Sequence, residues 1–401
     1  MTDVFSLIKS EAQNCINCGF CSAVCPTLEA FGFRESMGAR GRVILAKSLL
    51  EGSEVKAPES FFSCLDCYAC YEVCPAKVNP GKISEYVKQA VSDGLIDWRK
   101  DPVAEMLAKN IIERRDPLGL KDELTDWAEG LEFSGSSETI LYTGHMYQLI
   151  PYAKALSDIS KKVGGVYKVF ASLFSKFSTP SSIFSMLYDK ELKERAKAQL
   201  RSIYFLLKKA GLSFSYLGSE EPYPGTLLYD LGYISEFKSY AQQVSEIFKE
   251  KGVKNIITVD PHTFEVLTNK YKAYVKGFDF NVTFWLDHLS GLSFSSSGRK
   301  ITYHEPCHLV RHTDHNVPKL YLQRVGELIM PAHSGKNTFC CGGPIESLFP
   351  KESERISEKR FAELKSTGAE LIVTSCPICF VNLNKDPSVL EVSELLMSLV
   401  K

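Results

Sequence analysis

Cysteine is the residue of this chain whose placement could do chemistry. Of thirteen, eight fall between Cys15 and Cys74, none between Cys74 and Cys307, and five between Cys307 and Cys379. A cysteine used as a small hydrophobe would be scattered through helices and strands; these sit in two groups flanking a cysteine-free middle. At 401 residues, 44% hydrophobic and 24% charged, the chain reads as an ordinary globular one of two or three domains. Met1 to Ser10 carries neither the apolar core of a secretion signal nor a twin arginine, so the expected location is the reducing cytoplasm, where disulfide frameworks are rare. Grouped thiols there ask for metal. Forty-seven basic against forty-eight acidic side chains leave a charge of −1, so nucleic acid is not an expected partner. No G-x-G-x-x-G or Walker loop offers a nucleotide cradle.

The first group holds one pattern twice. Cys15, Cys18, Cys21 and Cys25 precede Pro26; Cys64, Cys67, Cys70 and Cys74 precede Pro75. Each is the C-x2-C-x2-C-x3-C-P run of dicluster ferredoxins, whose fourth cysteine serves the other cluster. The expected ligand sets are therefore Cys15, Cys18, Cys21 and Cys74 for one [4Fe-4S] cubane, and Cys25, Cys64, Cys67 and Cys70 for the second. Zinc favours pairs of ligands over trailing triplets with a proline. The 38 residues between the runs exceed a minimal ferredoxin. Gly41 to Leu50 and the spacing of Ile83, Tyr86, Val87, Ala90 and Val91 predict helices in that domain. Arg34, Arg40, Arg42 and Lys47 could offset cluster charge, although a solvated basic face is the expected role for most of them.

The second group reads C-x32-CC-x34-C-x2-C. Short β-rich runs at Ile301–Tyr303, Asn337–Phe339 and Leu371–Thr374 predict that each thiol group follows a strand end, where open α/β sheets gather ligands. Pro377 and the apolar residues after it predict a helix opening at Cys376, whose dipole favours a thiolate. Tyr303-His304-Glu305-Pro306-Cys307-His308-Leu309, Cys340-Cys341-Gly342-Gly343-Pro344 and Cys376-Pro377-Ile378-Cys379 together resemble the cysteine-rich CCG module of the heterodisulfide reductase family. The domain order is similar to that of the D-type polypeptide of heterodisulfide reductase, and to iron–sulfur subunits of glycolate oxidase and anaerobic glycerol-3-phosphate dehydrogenase. The resemblance implies that Cys307, Cys340, Cys341, Cys376 and Cys379 hold a third, noncubane [4Fe-4S] cluster. It brings the expected content to about twelve irons per chain and no zinc. His304, Glu305, His308 and Arg311 flank Cys307 and are candidates for proton delivery or substrate-anion binding, with structural roles equally open.

Three rivals stand beside this. His304-Glu305-Pro306-Cys307-His308 fits the H-E-x-x-H string of zinc proteases, but Pro306 interrupts the helix that chemistry needs. A thioredoxin-like pair at Cys376 and Cys379 leaves the other three thiols unexplained. A structural zinc site would leave one idle.

The family commonly carries two CCG modules. Gly252–Leu267 aligns without a gap on Gly368–Leu383, with six of sixteen residues identical. Asp260 then stands for Cys376, Thr263 for Cys379, Tyr223-Pro224-Gly225 for Cys-Cys-Gly and His145 for the first cysteine. The first copy is expected to keep its fold and lack every thiolate; a mononuclear site on His145, Asp260 and His262 is the less favoured option. The fold class is therefore α+β multidomain: a helical dicluster ferredoxin domain (1–100), a linker (101–137), a degenerate α/β CCG-like repeat with a helical insertion (138–290) and a complete CCG domain (291–401). Val166–Tyr188, mixed aromatic and basic, is a candidate membrane-edge or subunit-binding segment, with burial in its own domain the default.

The expected function is an iron–sulfur oxidoreductase subunit whose cubanes relay electrons to a CCG-held cluster that reduces a disulfide or oxidises thiols. The alternative is a relay from a flavoprotein that oxidises a 2-hydroxy acid or glycerol 3-phosphate towards a quinone. Expected partners are a flavoprotein or a membrane cytochrome of the b type and a disulfide or thiol substrate; a peripheral place on the inner face of the membrane stays open.

Overall fold

The structure, a computed structural model, describes residues 3–401 apart from 121, 136 and 164–185. Most of the segment 166–188 thus lies outside the described residues. Among those described, no helix is long and apolar enough to cross a membrane.

The N-terminal part is helical. Val4–Ala12, Ala39–Leu50 and Pro80–Ser92 pack around Val43, Ala46, Phe61, Ile83, Val87 and Ala90. Pro80 opens its helix at a position where a missing N–H costs nothing, and Asn79 Oδ1 accepts from the N–H groups of Gly81 and Lys82. The predicted stripe of this helix is the buried one, with Tyr86 at its edge.

The stretch expected to be a linker is packed. Helix Pro102–Arg114 buries Val103, Met106, Leu107 and Ile111 in the core that also holds Ile140, Tyr142 and Phe237. Its apolar face needs a partner, and the helix Thr226–Asp230 supplies it.

Two parallel sheets follow. The first has β1 (Thr139–Tyr142), β2 (Asn255–Thr258) and β3 (Asn281–Phe284) in the order β1-β2-β3, with Ser215 bridging to Ile140 on the outer side of β1. The second has β4 (Lys300–His304), β5 (Glu327–Leu328), β6 (Leu371–Thr374) and β7 (Val389–Glu391) in the order β5-β4-β6-β7. All pairings are parallel. Both sheets place their first strand between their second and third chain segments. They share a core, in which Ile257 and Val259 meet Ile301, Tyr303, Leu371 and Val373.

Asn337–Phe339 is not a strand. Gly335–Asn337 forms a 3-10 turn, and β5 takes the place beside β4. The carbonyls of Lys336 and Thr338 accept from Arg311 Nη1 at 3.1 and 2.8 Å, so a guanidinium replaces the ladder. The residues leading into Cys340 are therefore a clamped loop.

Candidate metal centre

The two ferredoxin-type loops have one backbone. Asn17 and Gly19 take φ of 57° and 85° in the first, and Asp66 and Tyr68 take 47° and 56° at the matching places of the second. Left-handed residues spaced this way turn successive N–H groups inward, the nest that anions and iron–sulfur groups occupy. Tyrosine resists such a φ, whereas aspartate adopts it more readily. They are held there by Lys88, whose Nζ is 2.6 Å from Asp66 Oδ2, and by Glu85, which accepts from Tyr68 Oη at 2.5 Å. Cys15, Cys18, Cys21 and Cys74 line one cavity with Ile16 and Phe20 at its rim. Cys18 is exposed, whereas Cys67 and Cys70 are buried.

Arg42 corrects the expectation of a solvated basic face. It is 2% exposed and donates to Ser60 O (2.5 Å), Thr27 Oγ1 (2.9 Å), Ser63 Oγ (3.1 Å) and Cys25 Sγ (3.6 Å). A buried cation beside Cys25 suits a thiolate-ligated, negatively charged group. Arg34, by contrast, is exposed, and Lys47 donates to Cys15 O at 3.1 Å.

At the other end, strand ends collect thiols. β4 runs into Cys307, and β6 runs into Cys376, which caps the helix Pro377–Leu383. Gly342, at φ 90°, turns the chain after Cys340 and Cys341; a Cβ there would lie 2.5 Å from Ser353 O. All five thiols are free, and none is more than 6% exposed. They form one contact network: Cys340 touches Cys307 and Cys341, Cys341 touches Cys379, and Cys379 touches Cys376. Cys340 also touches Cys67 of the ferredoxin-type loop. The two cysteine groups meet inside the protein.

Around the five thiols, two donors are aimed at nothing else. Arg360, fully buried, donates from Nε to His304 Nδ1 at 3.1 Å. A guanidinium only donates, so Nδ1 accepts and the ring proton sits on Nε2. That buried Nε2–H has no protein partner, and His304 shares a space of 4.8 Å with Cys341 and Cys379 Sγ. Arg311 spends Nε on Cys67 O and Nη1 on two carbonyls, leaving Nη2 buried without a partner. Orphaned N–H groups beside converging thiols fit a group rich in sulfur acceptors. His262 adds charge to the same wall. Burial pushes its imidazole down, but the Cys376 thiol, Asp260 and Asp230 more than offset this and bring it to about 10.

Other sequence candidates are not gathered here. Glu305 accepts from Gly335 N, a loop-bracing role. His304 and His308 face different sets of residues, which removes the protease-like reading. His145 lies 3.5 Å from Asp116 and 3.7 Å from Glu221, while His262 faces Cys376 and Asp260 caps the helix Pro261–Glu265. The structure does not bring His145, Asp260 and His262 together. Sequence reasoning missed Arg360, Lys88 and Tyr68. Tyr68 alone carried a signal, since it stands where the first loop has Gly19.

Comparison with known proteins agrees with this geometry. Residues 11–78 match a 4Fe-4S dicluster domain, and residues 301–384 match the cysteine-rich CCG domain. The chain thus carries an iron–sulfur dicluster domain and a cysteine-rich domain of the CCG type. Its relatives include a "probable membrane-anchored ferredoxin" of Chromohalobacter salexigens, 26% identical over 91% of this chain and 55% of that protein. An "EtfAB:quinone oxidoreductase" of Syntrophomonas wolfei is 27% identical over 85% of this chain and 45% of its own length. The chain thus spans about half the length of these two. The D-type polypeptide of the dihydromethanophenazine:CoB–CoM heterodisulfide reductase of Methanosarcina barkeri is 21% identical over 93% of this chain and 88% of its own length. In fold, a hypothetical protein from Helicobacter pylori superposes with a TM-score of 0.55 over 99% of this chain and 72% of its own, at 12% identity.

Proposed function

We propose that the chain conducts electrons from a surface cubane through an inner cubane to a CCG-held noncubane cluster, and that a disulfide is reduced there. The packing of Cys67 with Cys307 and Cys340 in one buried cluster carries this reading, because it brings the two thiol groups together. The proposed ligands are Cys15, Cys18, Cys21 and Cys74 outside, Cys25, Cys64, Cys67 and Cys70 within, and Cys307, Cys340, Cys341, Cys376 and Cys379 at the end. Clusters held by these thiolates would supply one-electron transfer and, at the third, sulfur-ligand chemistry. The chain's own residues do the rest. Arg42 and Arg311 place positive charge beside the thiolates, and Arg360 keeps the His304 proton on the nitrogen facing Cys341 and Cys379. The net change is one disulfide plus two electrons and two protons giving two thiols, with electrons from a reduced flavoprotein and both protons from solvent, while the His304 Nε2–H donates a hydrogen bond to the sulfur that gains charge.

The middle residues 138–290 serve as a degenerate repeat that covers the live module. The common strand order supports this, as does the match of Gly225 at φ 83° to Gly342 at 90° and of Asp260 to Cys376 as helix caps. A second reading, relay from a flavoprotein to a quinone, is favoured by the relative named as a quinone oxidoreductase. Under either, exposed Ile16 and Phe20 beside the outer cavity suit a redox partner, which could lie at a membrane.

Oxidised, anaerobically prepared protein is treated with a panel of thiols and followed by electron paramagnetic resonance. Disulfide chemistry gives a new signal that broadens with a magnetic iron isotope and is absent from Cys341→Ser. No response to any thiol, with reoxidation of the reduced protein by a quinone, refutes the disulfide reading.

A further inference from the structure

Where the three parts of the chain meet, two π-helical stretches lie side by side. His308–His312 is one; Val266–Tyr271, directly after Glu265, is the other. Such turns recur at functional sites. With more than four residues per turn, the first nearly eclipses its i and i+4 side chains, so the rings of His308 and His312 stack at 4.5 Å. Both present Nδ1 to the carboxylate of Glu265: His308 Nδ1 is 3.9 Å from Oε2, and His312 Nδ1 is 3.8 Å from Oε1.

These separations are too long for hydrogen bonds. His312 Nε2 lies 2.9 Å from Asp66 O, a carbonyl that can only accept, so the ring proton is there and Nδ1 offers a lone pair. His308 Nδ1 is buried with no partner. Two imidazole nitrogens and a carboxylate therefore face one another across a gap, with the three ligand atoms within 4.8 Å. Lys270 does not fill it. Its Nζ stands 3.8 Å from Glu265 Oε1 and 3.9 Å from Glu85 Oε2, one cation shared by two carboxylates.

We propose that Glu265, His308 and His312 bind one divalent first-row cation, Zn2+ or Fe2+, separate from every cysteine. Two neutral imidazoles and a carboxylate are the donor set such ions take, with bonds of about 2.0–2.2 Å that form once one ring turns out of the stack so that both Nδ1 lone pairs converge. The surroundings match a metal site beyond its ligands. The second nitrogen of His312 is fixed by a backbone carbonyl, and Tyr68 stacks on its ring at 4.2 Å. His308 also lines a cavity with Cys64, Asp66, Lys88 and Asp230. The ion ties the middle segment to the CCG domain and, through Asp66 O, to the inner ferredoxin loop.

The test uses full-length protein with its iron–sulfur clusters intact, dialysed anaerobically against a chelator and then titrated with Zn2+ and, separately, Fe2+. The expected result is uptake of about one equivalent of either ion, with cluster absorbance unchanged. Glu265→Gln and His312→Ala should each weaken uptake at least about tenfold. High-spin ferrous iron or zinc retained by the untreated protein identifies the native ion. Uptake below about a tenth of an equivalent by the wild-type protein overturns the proposal, as does equally tight binding by both variants. The wild-type titration does not depend on either variant folding. Cluster signals and the thiol response report on the proposed function separately.

Discussion

Replacing Arg42 by methionine should lower the reduction potential of the inner cubane by about 100 mV. The guanidinium lies 3.6 Å from Cys25 Sγ. Adding an iron–sulfur bond and averaging over a delocalised core puts the charge roughly 7 Å from the added electron, an interaction of about 2.4 kcal/mol at an effective dielectric constant of 20. For one electron, about 1.4 kcal/mol corresponds to 59 mV. The sign follows because a cation favours the more negative, reduced state. The outer group, reached by no hydrogen bond from Arg42, should move much less. Anaerobic redox titration followed by electron paramagnetic resonance resolves the two. Arg42→Lys keeps the charge but not the fork to Thr27 and Ser63, and should shift by under half as much. A shift below about 20 mV, or an equal shift of both cubane signals, would refute the placement of Arg42 as a local electrostatic partner.

Cys341→Ser should lower the iron content by about four per chain and leave both cubane signals in place; their joint loss would show that the modules are not independent. Arg360→Met removes bonds of 3.1 Å to His304, 3.0 Å to His333 O and 2.6 Å to Glu363 from a fully buried guanidinium. It should cost about 2–4 kcal/mol, seen as faster thermal inactivation, and a change under about 0.5 kcal/mol contradicts the account. Burial pushes the Glu391 carboxyl from 4.5 up to about 8, against the donors of Ser393. The folded state thus holds its proton more tightly than the unfolded one, and Glu391 makes stability fall between about pH 4.5 and 8 by up to about 1.4 kcal/mol per unit. Denaturation midpoints of Glu391→Gln should decline less across that window; identical slopes in both proteins would contradict it.

Much of this arrangement was legible because its determinants are local. The spacing of the cysteines, the strand before Cys376 and the proline after it, and the helical stripe at Ile83, Val87 and Ala90 are each set within one or two turns of chain. What escaped depends on partners far away in sequence. Arg42 sits on a helix face like any surface arginine, and only Thr27, Ser60 and Ser63 closing over it make it a core residue. Asn337–Phe339 has strand-forming residues, but Arg311 takes its carbonyls. The helix after Asp101 reads as part of a linker because the element that covers its apolar face, Thr226–Asp230, lies more than a hundred residues on. The ring stack from His262 through His308 and His312 to Tyr68 joins three separate stretches, and no window of sequence contains it.

The thiols run from an exposed Cys18 to a fully enclosed Cys376. That gradient sets an order of construction and of decay. The inner and terminal groups meet at Cys67 and Cys340, so assembly machinery must deliver their iron before the two ends of the chain close on each other. The outer group can be rebuilt on the finished fold. With clusters on these thiols as proposed, air should reach the outermost one first and leave a brown, folded protein that holds charge yet has lost its doorway to any partner. Colour and iron content would then overstate how much of a preparation is connected, and only electron delivery from outside would reveal the break.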